Sequence, residues 1–310
     1  MLEVHTKYDH LFRNVKPHAV GGIKIFTEND PYLIKQNYGA ISDEEREIWR
    51  RLFNRLEDPL DQYASKEYLQ GLRALGLSRN EWPNFETLTP VLEQASGWML
   101  TPVAGFLNEY LFFLLNSQRK FPVTDIIRQS GRFRQKYSGQ DIRNTDEYTP
   151  EPDIFHDIRG HSPFLTNREY GDFLAEIGQL GYALITDERG MGPELIAHNL
   201  KRLQNFAWWS YEFGVMKKQN HTDEIRKSPN NIDYEIYGSG IISSYDEVMN
   251  VVACATGESN RSRFLPFDVG EVVLTRFDYS DIQDRYFVID SMEALYSTFR
   301  DNTDLFLFEG

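Results

Sequence analysis

His156 and His161 stand five positions apart, with Gly160 just before the second, in the run Tyr148-Thr149-Pro150-Glu151-Pro152-Asp153-Ile154-Phe155-His156-Asp157-Ile158-Arg159-Gly160-His161. Two neutral imidazoles and one distant carboxylate form the three-ligand face of non-haem Fe(II) oxygenases, which leaves positions free for oxygen and substrate. Spacing alone does not separate such a pair from two structural histidines. Five steps on a regular α-helix turn the chain about 500°, which sets the rings roughly 140° apart around the axis, too far to share an ion. The spacing therefore predicts that the helix ends or loosens at Gly160. A glycine there takes the left-handed conformation at little cost, which would swing His161 toward the ion that His156 faces. Farther along, Glu212 lies one turn beyond Trp208, so both point the same way, and it stands amid aromatics. Buried there uncompensated it would be costly, so it reaches water or binds a cation.

These residues need elements to hold them, and the pattern is mainly helical. Residues 1 to about 40 lack a period and hold Gly21-Gly22, Pro17 and Pro31, so they read as an irregular arm, ordered only in part. His5, His10 and His18 in that arm read as surface histidines. Ser42 and Glu45 form a capping box, and Ile48, Trp49, Leu52, Phe53 and Leu56 then repeat at helical spacing. A second helix is expected near 65–75, ending at Gly76, and a third after Thr89-Pro90. Gly97 to Leu107 reads as a short apolar strand or loop leading into a helix with Phe112 to Leu115. The stretch 131–147 reads as a polar surface loop. Thr166 and Glu169 suggest another capping box, with Gly178 and Gly181 interrupting the helix that follows. One long helix is expected over 194–218. Tyr234 to Tyr237 reads as a strand, Gly238-Ser239-Gly240 as a tight turn, and Val272–Phe277 with Tyr286–Ile289 as a small β-ribbon.

Composition narrows the partners. The 310 residues are 41% hydrophobic and 14% aromatic, enough for a large core. The net charge of −14 removes the phosphate attraction behind most nucleic-acid binding, so no nucleic acid is expected. Cys254 is the only cysteine, which excludes an internal disulfide and suits a reducing compartment. With no long apolar segment and no signal-like start, the expectation is a cytoplasmic protein without membrane contact.

The run from Tyr148 to His161 resembles the signature of the tetrahydropterin-dependent aromatic amino acid hydroxylases. So do Pro102-Val103-Ala104-Gly105, Trp208 with Glu212-Phe213-Gly214, and Tyr237-Gly238-Ser239-Gly240-Ile241-Ile242-Ser243-Ser244. The likeness runs from about residue 42 to the end and is nearest to the bacterial phenylalanine hydroxylases. It implies one catalytic domain over 41–310, mainly α with a small β-ribbon, acting as a monomer. It implies Fe(II) held by His156, His161 and Glu212, a tetrahydropterin such as tetrahydrobiopterin, and O₂ as co-substrate. Gly105 and Leu107 would meet the pterin, Phe112 would stack on its ring, and Asp157 would approach it across a water. Arg128 would grip the substrate carboxylate, for which a planar charged fork is suited. Thr149, Gly240 and Ser243 would surround the same amino acid, with Trp208 and Pro152 forming its ring wall. Ser243 is not read as a hydrolase nucleophile, since no Gly-x-Ser-x-Gly elbow surrounds it.

Several positions depart from that family's pattern. Ala207, Ser210 and Tyr211 replace the usual tyrosine and Thr-Val pair, and Arg159 replaces an apolar residue. Arg159 is expected to point outward or to pair with an acid such as Asp157. Tyr279 stands where a small aliphatic residue would lie over the substrate ring. The long loop 129–147 makes Arg143 a rival to Arg128. The substrate expected is phenylalanine, hydroxylated at the para or meta carbon. Tryptophan or tyrosine hydroxylation, a zinc hydrolase with the same ligands, and a silent binding module are the alternatives.

Overall fold

In the computed structural model, which describes residues 23–27, 30–36, 38–41, 43–103, 107, 109–124, 153–218, 232–278 and 281–308, the first long helical pattern forms α1 (Asp43–Tyr63). Trp49, Leu52, Phe53, Leu56 and Leu60 recur every three or four residues, share one stripe and are all buried. Each contributes about 2 kcal/mol of burial before the entropy of ordering is subtracted. α2 (Lys66–Ala74) starts where Ser65 accepts the Tyr68 N–H, and Gly76 follows it with φ +63°. α3 (Phe85–Ser96) begins before Thr89-Pro90, because Asn84 caps it by accepting the Glu86 N–H at 3.0 Å. Pro90 thus lies inside the helix and leaves one rung of its ladder unmade.

Part of the stretch that reads as irregular is strand. β1 (Ile23–Thr27) and β2 (Asp30–Gln36) pair antiparallel. β2 pairs antiparallel with β3 (Met99–Val103), and β3 pairs in parallel with β4 (Lys120–Thr124) from Met99↔Lys120 to Val103↔Thr124. Parallel neighbours need a crossover, which α4 (Glu109–Ser117) supplies. Two such short strands are stabilised by the sheet they join, which local sequence does not reveal. Ser42 of the expected capping box and the three early histidines lie outside the described residues.

α5 (Asp153–Phe155) runs into a wide turn over His156–His161. α6 (Arg168–Ile185) is capped by Asn167, whose side chain accepts the N–H groups of Glu169 and Tyr170 at 2.9 and 3.2 Å. Thr166 instead donates its hydroxyl to the Pro163 carbonyl at 2.7 Å. Nor do Gly178 and Gly181 interrupt α6. A Cβ would meet Ser117 N at 2.6 Å from the first and the Phe113 ring at 2.3 Å from the second, so these glycines let α6 lie directly on α4.

The helix expected over 194–218 is shorter: α7 (Pro193–Ala207) passes into a second wide turn, Trp208–Glu212, and then into β5 (Val215–Lys217). β5 pairs antiparallel with β6 (Tyr234–Ile236), while β7 (Arg263–Pro266) and β5 both run parallel to β8 (Arg285–Ile289). The order is β6-β5-β8-β7. α8 (Ser239–Ile242) replaces the expected tight turn, and α9 (Tyr245–Ala255) follows it. Val272–Phe277 is not a strand: it leaves α10 (Val269–Val272), capped by Asp268, as a loop, and β8 finds its partners in β5 and β7. α11 (Met292–Asp301) closes the core with Tyr296 and Phe299 against Phe173. Helices therefore dominate, as expected, with two small sheets rather than one ribbon. No helix among the described residues is long and apolar enough to cross a membrane.

Candidate metal centre

Both wide turns close their hydrogen bonds over five residues instead of four. Ser162 N–H donates to the Asp157 carbonyl at 3.2 Å, and Phe213 N–H to the Trp208 carbonyl at 2.8 Å. Such π-turns widen the helix locally and recur at functional sites. Here the widening brings residues five apart onto one side, so His156 Nε2 and His161 Nε2 lie 3.0 Å apart with their rings at 89°. The helix does loosen, but not through a left-handed Gly160. Gly160 sits within the turn because a Cβ there would come 2.9 Å from the Ser239 carbonyl of α8.

Glu212 reaches the pair from the second π-turn, with Oε1 3.1 Å from His161 Nε2 and Oε2 3.5 Å from His156 Nε2. The two imidazoles are buried, whereas 20% of the Glu212 side chain is exposed, so the cluster opens on the carboxylate's side. Lone pairs this close repel unless a proton or cation lies among them. Donors bonded to one ion at about 2.1 Å stand about 3.0 Å apart at right angles and about 3.4 Å at tetrahedral angles. The three donors thus fit one transition-metal ion.

The far nitrogen of His156 explains its orientation: Nδ1 lies 2.8 Å from Ser243 Oγ at the end of α8. A Nδ1–H donated to that oxygen leaves the Nε2 lone pair for the cluster. His161 is held by rings, with Phe121 at 5.2 Å and Tyr211 at 6.1 Å, and its Nδ1 has no hydrogen-bond partner among the described residues. Burial, and then the charge of Glu212, push the Tyr211 phenol well above its ordinary pKa, so it stays neutral.

Arg159 neither points outward nor pairs with Asp157. It is 1% exposed, with its guanidinium 3.6 Å above the Phe53 ring and Nη1 donating to the Phe53 carbonyl at 3.3 Å. Among the described residues no carboxylate lies within ion-pair distance of it. A guanidinium is weakly hydrated and stacks well on an aromatic face, which makes this burial tolerable.

Trp208 lies half-buried at the start of the second π-turn. Phe213 stacks on it at 4.5 Å and 25°, and Phe277 at 4.1 Å and 9°. Two rings on the same face at those separations would overlap, so the indole lies between them. Gly240 is in α8, where a Cβ would strike the Phe213 ring at 2.6 Å. Phe112 meets Phe113 edge-on at 5.4 Å, and Leu107 and Asp157 are half-buried. Gly105, Arg128, Arg143, Thr149, Pro152 and Tyr279 lie outside the described residues. Phe277 and Gln283, which fix Trp208, do not stand out in the sequence as site residues. Gln283 sits in a polar stretch with no local signal.

Fold and cluster together define a two-histidine, one-carboxylate protein built into a largely helical domain. The biopterin-dependent aromatic amino acid hydroxylase family matches residues 36–306, and the chain belongs to that family. Among its relatives is the phenylalanine-4-hydroxylase of Ralstonia nicotianae, 33% identical over 252 residues, covering 81% of this chain and 68% of that protein. Among solved structures, the iron- and phenylalanine-bound phenylalanine hydroxylase of Chromobacterium violaceum superposes with a TM-score of 0.70 at 27% identity, covering 91% of this chain and 88% of that one. Another structure of the same enzyme holds iron(III) and 7,8-dihydrobiopterin.

Proposed function

We propose that the chain is an Fe(II)- and tetrahydropterin-dependent monooxygenase that hydroxylates the ring of phenylalanine, with His156, His161 and Glu212 as the iron ligands. The observation that carries this reading is the convergence of three donors within 3.0–3.5 Å, with His156 oriented by Ser243. The phenylalanine hydroxylases among its relatives support the choice of substrate.

When bound, iron and reduced pterin activate O₂ between them. The protein's share is placement. Ser243 sets the tautomer of His156, and Glu212 supplies one negative charge toward a divalent ion while leaving the exposed side of the cluster free. Trp208, on the same π-turn as Glu212, offers a rigid aromatic wall. By the family likeness, Arg128 grips the substrate carboxylate with Thr149 beside it, Pro152 joins Trp208 in the wall for the substrate ring, Gly105 and Phe112 face the pterin, and Tyr279 borders the substrate ring. This reading takes residues 41–310 as one catalytic domain, monomeric in solution.

The test is direct. Protein with Fe(II), a tetrahydropterin and O₂ is offered phenylalanine, tyrosine and tryptophan separately, and products are weighed. Phenylalanine is expected to gain one oxygen fastest. Faster gain by tyrosine or tryptophan would move the substrate assignment, and bound zinc without pterin-dependent O₂ uptake would overturn the oxygenase reading.

A further inference from the structure

Trp208 Nε1–H donates to the Gln283 side-chain oxygen at 3.0 Å. That oxygen cannot swap places with its amide nitrogen, because the nitrogen donates to two carbonyls, Asp278 at 2.8 Å and Asp281 at 2.9 Å. The Gln283 backbone is tied as firmly. Its N–H donates to Glu247 Oε1 at 3.0 Å, and its carbonyl accepts the Ser262 hydroxyl at 2.5 Å. The ring then closes through side chains: Tyr286 donates its hydroxyl to Glu247 Oε2 at 2.5 Å, and Asn250 Nδ2 lies 2.7 Å from both Tyr286 Oη and Ser262 Oγ. All five of these residues are buried.

A closed, buried network of this size is more than a loop needs in order to keep its shape. Every polar group of Gln283 is engaged, and one of its contacts runs outward to a half-buried indole. Phe213 and Phe277 fix the plane of that indole, and the Gln283 oxygen fixes its rotation within the plane. The indole in turn shares a π-turn with Glu212, whose carboxylate completes the cluster.

We propose that Gln283, anchored by Glu247, is a positioning residue that sets the Trp208 indole against the Glu212 side of the site and thereby the ring carbon of the aromatic substrate presented for oxygen transfer. This rests on the functional reading above for its consequence, but not for its structural part. Without Gln283 the indole can turn between its two phenyl neighbours. The substrate ring then rests against a moving wall, and pterin is oxidised without product.

The experiment separates the two parts. In ¹⁵N-labelled protein, Trp208→Phe identifies which of the five tryptophan indole N–H signals belongs to Trp208. In Gln283→Met, which keeps the side-chain length, that signal is expected to shift and to exchange with water about 10-fold faster, the equivalent of one neutral hydrogen bond. Product formed per pterin oxidised is expected to fall, and the spread of hydroxylated isomers to widen. Adding Gln283→Met to Trp208→Phe is expected to change little more. An unmoved indole signal, or full additivity of the two substitutions, overturns the proposal. Should Gln283→Met fail to fold, indole exchange in the unaltered protein decides: a Trp208 proton exchanging as fast as free indole overturns it. If no aromatic amino acid gains oxygen at all, the functional reading fails while the indole signals still test the positioning.

Discussion

Ser243 decides which nitrogen of His156 faces Glu212, and so whether the cluster has a lone pair to offer. Partners of this kind typically contribute 10–100-fold to metal affinity. Ser243→Ala is therefore expected to weaken Fe(II) binding by about 10–100-fold without unfolding the protein. Competition with a chelator measures it, and unchanged affinity would remove Ser243 from the site. Arg159 poses the opposite question. A buried charge with no ion pair among the described residues contributes less than a well-packed apolar side chain in the same space, and such exchanges are often neutral or stabilising. Arg159→Leu is expected to leave stability unchanged or raise it by about 1–2 kcal/mol, read from the denaturant midpoint. A loss larger than that would mean that the stack on Phe53 dominates. Residue types carried much of this site in the sequence: the two histidines, the glutamate and Ser243 all stand out. Their roles are less legible: the family likeness sets Ser243 near the substrate, and only the fold shows its contact with His156. For Arg159 the sequence points outward or to a pairing with an acid such as Asp157, because it shows the charge but not the aromatic face that accepts it.

At the scale of elements, the decisive features are the two π-turns. Helical periodicity exposed the problem at His156 and His161, since a regular helix parts them, and it pointed to Gly160 as the place of relief. The form of the relief was hidden because it is imposed from outside the segment. α8 crosses so closely that only a glycine fits against the Ser239 carbonyl, and the turn widens under that crossing. The same holds for Asn84 and Asn167, whose caps displaced the expected starts at Pro90 and Thr166. Candidate caps within a few residues of one another look alike until the chain's direction on entering the helix is known. Gly160→Ala tests the crossing, because its Cβ would lie 2.9 Å from a backbone oxygen that cannot rotate away. It is expected to cost about 1–3 kcal/mol and to lower iron content together with stability. Denaturant titration and metal analysis on the same sample check both, and a variant of full stability and full iron content would show that the crossing has slack.

For the whole molecule, stability should depend on pH in a direction that Glu247 sets. Burial lifts its carboxyl from the ordinary value of 4.5 to about 7, against the opposing hydrogen bonds from Tyr286 and Gln283 N–H. In the unfolded chain the group loses its proton near 4.5, while in the fold it keeps it to about 7. Between those values the folded state binds more protons than the unfolded, so stability falls as pH rises. The contribution is fully present below 4.5 and lost as pH passes about 7, a difference of about 3 kcal/mol at one pKa unit per 1.36 kcal/mol. The net charge of −14 acts in the same sense, since further ionisation adds self-repulsion. The two effects separate by subtraction. Glu247→Gln keeps an oxygen for the Gln283 N–H but cannot ionise, so its denaturation midpoint is expected to fall less steeply than that of the unaltered protein between pH 5 and 7.5, a window of about the unfolded and folded values. Curves that stay parallel across that range would show that Glu247 is already ionised within its network, held so by Tyr286 and Gln283.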